Sequence, residues 1–130
     1  MVSGVFHDQE RAVCDLLARA ARGPQRNGLF AVWLLLRVTA DLLPSEGVPD
    51  RAHRRRVQAM EQRLRSLTLP TALRISLARA TEILTQGPVN GSVTALREIQ
   101  QSVRETLGPR AADVIRDALL EAVQVVRDQP

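Results

Sequence analysis

Lysine and tyrosine are both absent from this sequence of 130 residues, and aromatic side chains occur only at Phe6, Phe30 and Trp33. A core with so few aromatic residues must be built from Leu, Val, Ile and Ala, which favours close helix–helix packing over a β-sheet. No segment alternates apolar and polar residues for long enough to predict a strand. With 45% hydrophobic and 25% charged residues, the composition is that of a globular chain. The sequence therefore predicts one all-α domain over residues 1–130.

Residues that carry catalytic or metal chemistry are also scarce. Cys14 is the single cysteine, so no internal disulfide can form and a reducing compartment is expected. It lies at the edge of the apolar face of the first predicted helix, where a small buried hydrophobic side chain is the favoured interpretation. Neither His7 nor His53 lies in a metal-binding pattern, and no glycine-rich phosphate loop occurs. We therefore expect no enzymatic activity, no metal and no cofactor.

Long hydrophobic runs are missing as well. The longest apolar run covers the eight residues 29–36, whereas a membrane-spanning helix needs about 20. The first residues, MVSGVFHDQER, lack both the basic start and the apolar stretch of a secretory signal. These features predict a cytoplasmic protein that does not contact membranes.

Hydrophobic periodicity, together with the positions of proline and glycine, predicts six helices joined by short loops. They are assigned to residues 8–22, 28–43, 50–67, 70–84, 93–107 and 109–126. Because short loops favour antiparallel neighbours, the expected fold is a compact bundle of about six short antiparallel helices. The chain ends, residues 1–7 and 127–130, are expected to fray.

The second predicted helix differs from the others because apolar side chains occupy nearly its whole circumference. Only Arg37 and Asp41 mark a polar strip. A helix that is apolar all round is buried, so helix two is predicted to be central, with Trp33 and Leu36 almost inaccessible to solvent. The broad apolar arcs of helices two and six also suggest self-association, since large exposed apolar patches usually mark interfaces, and a symmetric homodimer is the commonest arrangement.

The net positive charge is concentrated in the third predicted helix. Between Asp50 and Thr68 there are six arginines and two acids, a net charge of +4 that equals the charge of the whole chain. One polar arc of this helix lies opposite its apolar stripe, and we call it the arginine arc. Its members are Arg51, Arg54, Arg55, Gln58, Gln62 and Arg65. Arg54 and Arg65 can form i,i+4 pairs with Asp50 and Glu61, whereas Arg51 and Arg55 have no such local partner.

The arginine arc admits several interpretations. It can be ordinary solvated surface, a docking site for an acidic partner protein, or a surface that tracks the phosphate backbone of a nucleic acid. No aromatic residue is interleaved with the arc to stack on bases. We therefore expect a non-enzymatic helical module for protein interaction or assembly. The alternative is a small nucleic-acid-binding subunit that contacts phosphates through the arc.

Two further features of the third and fourth helices have functional alternatives. His53 projects onto the apolar face, which favours a partly buried ring that donates one N–H to a carbonyl over a ligand-contacting or pH-sensing role. The pair of helices joined through Leu67 and Pro70 also invites comparison with a helix-turn-helix. The turn lacks the frequent glycine of that motif, however.

Overall fold

A computed structural model describes residues 5–43 and 50–128 of the chain. Within this part the chain is helical, and no strand is present among the described residues, which confirms the all-α prediction. The helices are α1 (His7–Arg19), α2 (Pro24–Leu42), α3 (Arg51–Arg65), α4 (Thr71–Gln86), α5 (Gly91–Leu107) and α6 (Pro109–Asp128). None of these helices is both long and apolar enough to cross a membrane.

An aspartate cap and two prolines mark the starts of α3, α4 and α6 within one residue of the predicted positions. The side chain of Asp50 accepts a hydrogen bond of 2.8 Å from the backbone N–H of His53 and caps α3. Pro109 is the first residue of α6. The start of α2 differs from the prediction, because it begins at Pro24, a full turn before Gly28. Proline fits a first helical turn, where its missing N–H would have no partner. The predicted break at residues 44–49 lies outside the described residues.

The two inner helices are α2 and α5. Helix α2 packs against α1, α3 and α5, and α5 packs against α2, α4 and α6. The inward side of α2 is fully buried, with Leu35 and Leu36 both at 0% exposure. Helix two therefore has the central place predicted for it. The prediction for Trp33 is wrong, because its side chain lies on the opposite side of α2 and is partly exposed.

Gly28 leaves room for leucine side chains of α4 and α5 to pack against the backbone of α2. A Cβ atom at this position would lie 2.8 Å from Cδ2 of Leu107 and 2.9 Å from Cδ2 of Leu73, closer than van der Waals contact allows. Leu73 lies near the start of α4 and Leu107 at the end of α5, so the two helices run antiparallel at this point. Helices α1 and α2 are antiparallel too, since Arg37 in the second half of α2 pairs with Glu10 near the start of α1.

The chain is anchored near its N-terminus by Phe6, which is 0% exposed. The backbone N–H of Phe6 donates a 3.0 Å hydrogen bond to Oε2 of Glu121 on α6. At the other end, α6 continues through Arg127 to Asp128. The structure thus buries Phe6 and includes residues 7 and 127–128 in helices, although the sequence predicts fraying at both ends. The rest of those segments, residues 1–4 and 129–130, lies outside the described residues.

Candidate interaction surface

The arginine arc forms the solvent-facing side of α3. Its six members are exposed. Arg65 pairs with Glu61 at 3.6 Å, as its spacing predicts. The predicted pair of Arg54 with Asp50 does not form, because the carboxylate of Asp50 caps the helix instead. Arg51, Arg54 and Arg55 make no ion pair with any residue that the structure describes.

A second group of arginines and aromatic rings lies beside the arc, on the outer side of α2. Arg63 belongs to α3 but points along its flank, and its Cζ atom lies 5.4 Å from the ring centroid of Phe30. The ring centroids of Phe30 and Trp33 are 5.8 Å apart, and the two rings are stacked with an interplanar angle of 18°. The Cζ atom of Arg37 lies 5.5 Å from the centroid of the Trp33 ring. We call these four residues the arginine–aromatic row.

The row crosses the outer side of α2 from α3 towards α1. At the α1 end, Nη1 of Arg37 lies 3.7 Å from Oε1 of Glu10. Arginine over an aromatic face is attracted by the ring quadrupole, and at exposed sites such a contact contributes about 0.5–1 kcal/mol. The arginines therefore stabilise the ring orientations, and the rings hold two guanidinium groups in place at the surface.

The spacing along α2 explains why these side chains share one side. Arg26, Phe30, Trp33 and Arg37 follow one another at intervals of four, three and four residues, which places them along one face of a helix. The opposite face carries the buried leucines. Helix α2 therefore carries apolar residues on two sides, since one face builds the core and the other holds two partly exposed aromatic rings between Arg26 and Arg37.

A cavity opens beside the row at the corner between α1 and α2. It has a volume of about 380 Å³, near the lower end of the range of about 300–1,000 Å³ for ligand pockets. Its lining consists of Leu17, Arg22, Gly23, Arg26, Asn27 and Phe30. Because Phe30 belongs to both, this corner cavity and the arginine–aromatic row form one continuous surface.

The charges around the corner cavity are not neutralised within the described part of the chain. Arg22 and Arg26 are exposed, and neither they nor Arg63 makes an ion pair with a described residue. Asn27 has a different role, because its Nδ2 donates a 3.0 Å hydrogen bond to the carbonyl of Thr68 in the α3–α4 turn. This bond ties the start of α2 to that turn and fixes one wall of the cavity.

Sequence reasoning missed this surface because it counted Phe30 and Trp33 only as apolar residues. Their spacing with Arg26 and Arg37 was a usable signal, since it puts arginine and aromatic side chains in one line along the helix. The contact with Arg63 had no signal in the sequence. It depends on how α3 packs against α2, and nothing local to either helix specifies that.

His53 has the structural role that its position favours. The side chain is 6% exposed, and its Nε2 atom lies 2.8 Å from the carbonyl oxygen of Leu84. Because a carbonyl can only accept a hydrogen bond, Nε2 carries the proton.

The prediction for Cys14 is wrong, since this side chain is exposed on α1. A position at the edge of an apolar stripe can face either way, and here the stripe is narrower than predicted.

Helices α3 and α4 do not form a helix-turn-helix. His53 at the start of α3 contacts Leu84 near the end of α4. Leu64 and Leu77, towards the other end of the pair, line a common groove of about 410 Å³. The two helices therefore lie side by side along their length, whereas the helices of that motif cross at about 90–120°.

Metal-ligating side chains do not cluster in the described residues. No group of three or more His, Cys, Asp or Glu side chains there could hold a metal ion.

Comparisons with known proteins gave no relative, since no protein-family model, curated protein or solved structure matches this chain.

Proposed function

We propose that this protein is a non-enzymatic helical interaction module that binds a partner protein through the arginine–aromatic row and the corner cavity. The observation that carries the proposal is the partly exposed, stacked pair of Phe30 and Trp33 with a guanidinium group at each end. Tryptophan and arginine are enriched among the residues that dominate binding energy at protein interfaces. Aromatic residues and arginine are also enriched in interface cores in general.

The ordering of these side chains before binding supports the same proposal. Immobilising a flexible side chain at an interface costs about 0.5–1.5 kcal/mol. The guanidinium groups of Arg37 and Arg63 already lie over rings in the free protein. Because these side chains are partly ordered before binding, they lose less conformational freedom when a partner contacts them. Base stacking is less suited to this site, because each ring already has the other ring and a guanidinium group against it.

Replacing Trp33 with alanine is expected to weaken binding of the partner by about 30-fold or more, the loss of roughly 2 kcal/mol that defines a dominant interface residue. The partner is recovered by affinity purification on the tagged wild-type chain after nuclease treatment. Its dissociation constant is then measured for wild type and variants. Circular dichroism verifies that the variant is folded.

The matched control is Leu120→Ala, which removes a 65% exposed apolar side chain from α6. It should change the dissociation constant less than threefold. Equal affinity of wild type and Trp33→Ala for every recovered protein would contradict the proposal. A second copy of the chain is one candidate partner, and sedimentation would then give a species of twice the 14.4 kDa chain mass that Trp33→Ala returns to the monomer.

A second candidate function is nucleic-acid binding through the arginine arc, and one observation favours it. Arg51, Arg54 and Arg55 project into solvent and have no ion-pair partner among the described residues. Such unneutralised arginines can replace the counterions condensed on a phosphate backbone. The arc has no aromatic group to stack on bases, and its exposed guanidinium groups would contact mainly phosphates, so binding would be largely indifferent to sequence.

The double variant Arg51→Gln, Arg55→Gln is expected to reduce the slope of log affinity against log salt for duplex DNA by about two units, since each phosphate contact contributes about 0.9. The measurement is a salt titration of fluorescent duplex and single-stranded oligonucleotides. Arg110→Gln, on the exposed start of α6, is the control and should leave the slope unchanged. Wild-type binding weaker than about 100 µM at low salt, the weak limit for non-specific contact, would exclude this function.

A further inference from the structure

We infer that the occupant of the corner cavity and the arginine–aromatic row is an acidic peptide segment that inserts one large apolar side chain between its carboxylates. This inference rests on the proposed protein-binding function and specifies the chemistry of the partner. It follows from three features of the surface. These are the apolar residues that line the cavity, the nearby arginines that have no ion-pair partner among the described residues, and the guanidinium groups over the two rings.

The apolar part of the cavity lining favours an apolar group. Leu17 and Phe30 supply apolar lining, and both are only partly buried in the chain itself. The volume of about 380 Å³ accommodates one large side chain. Filling it with an apolar side chain removes the exposed surface of both residues from water, which is the main driving force of most protein association.

The arginines near the cavity favour carboxylate groups on the partner. Arg22 and Arg26 line the cavity, and the guanidinium group of Arg63 lies over the ring of Phe30, which also lines it. The planar guanidinium group matches a carboxylate with two parallel hydrogen bonds. Three arginines beside one apolar lining therefore complement an apolar residue that has acidic residues close to it in sequence.

The same arrangement argues against a ligand that is only negatively charged. A polyanion without an apolar group would pair with the arginines but would leave Leu17 and Phe30 against water. The stacked rings offer little open face to a nucleobase, because Arg37 and Arg63 already lie over them. An acidic segment with an apolar anchor uses both the charge and the cavity.

The test begins with selection from a displayed library of random peptides against the immobilised full chain. We expect the selected peptides to share Leu, Ile, Phe or Met with Asp or Glu within a few residues on either side. A tryptophan-free selected peptide is then synthesised and titrated into the protein. Trp33 is the only tryptophan of the chain and lies in the proposed site, so a change in its fluorescence reports occupancy directly.

Two changes separate the contributions of charge and anchor. The protein variant Arg22→Gln, Arg26→Gln should bind the peptide at least about tenfold more weakly, as expected when charge-assisted hydrogen bonds are lost. Its affinity should also depend less on salt. Arg110→Gln is the control and should bind like wild type. Poly-glutamate, which lacks an anchor, should bind at least about tenfold more weakly than the selected peptide, since burying one large side chain contributes more than that factor.

Selected peptides without the acidic and apolar pattern would overturn the inference, as would equal binding to wild type and to the Arg22→Gln, Arg26→Gln variant. Equal binding of poly-glutamate would overturn the role of the anchor. These outcomes are distinguishable from failure of the proposed function. If a recovered partner depends on Trp33 but has no acidic segment at the contact, the proposed function stands and this inference fails.

Discussion

The free energy of unfolding should fall by about 3–5 kcal/mol when Phe6 is replaced with alanine, the cost of removing a fully packed aromatic side chain. Phe6 is 0% exposed and lies just before the first residue of α1. Its backbone N–H also bonds to Glu121 of α6. Loss of the ring would leave a cavity where the start of α1 meets α6, and it would weaken the attachment of α1 to the bundle.

The measurement is reversible urea denaturation of wild type and Phe6→Ala, combined with hydrogen exchange of the α1 amides. Exchange should accelerate most in α1, because this helix loses its anchor. Phe6→Leu keeps most of the buried volume and should retain more of the stability than Phe6→Ala. A decrease below about 1 kcal/mol, smaller than any cavity of this size produces, would mean that the N-terminal segment frays as the sequence predicts.

Leu36→Ala is expected to lower the free energy of unfolding by about 2–5 kcal/mol. Leu36 is 0% exposed on the inner face of α2, and this helix packs against α1, α3 and α5. The surrounding helices are held from several sides and can collapse only partly into the space. The cost therefore includes both lost hydrophobic burial and a residual cavity.

Leu120→Ala provides the comparison for Leu36→Ala, because it removes the same side chain from a position that is 65% exposed. Its effect should lie within about 0.5 kcal/mol, as for most surface substitutions. Both variants are measured by urea denaturation under the same conditions. Similar effects of the two substitutions would show that α2 is not packed as described.

The architecture was accessible from the sequence because it depends on periodicity and chain breaks. Helix α3, predicted over residues 50–67, is observed over Arg51–Arg65, and Val57 and Met60 are buried on the side opposite the arginine arc. The orientation of side chains at the edge of an apolar stripe could not be predicted in the same way. Cys14 and Trp33 could face the core or solvent with little change in pattern, and packing decides between the two.

The candidate site also has one part that the sequence predicts and another part that it does not. The exposure of the arginine arc follows from α3 alone, since its apolar stripe fixes which side must face water. The arginine–aromatic row depends instead on three helices meeting. Arg63 reaches Phe30 only because α3 lies against α2, and Arg37 reaches Glu10 only because α1 lies on the other side. Local helix propensity carries no information about how α3 or α1 packs against α2.

The exposed position of Cys14 has a practical consequence for work on the purified protein. Its thiol is the only one in the chain, and it faces solvent on α1. Two molecules can therefore become joined by a disulfide on storage in air, and the covalent product would have the mass of a dimer. A Cys14→Ser chain, or fresh reductant throughout, keeps this oxidation product from being mistaken for true association.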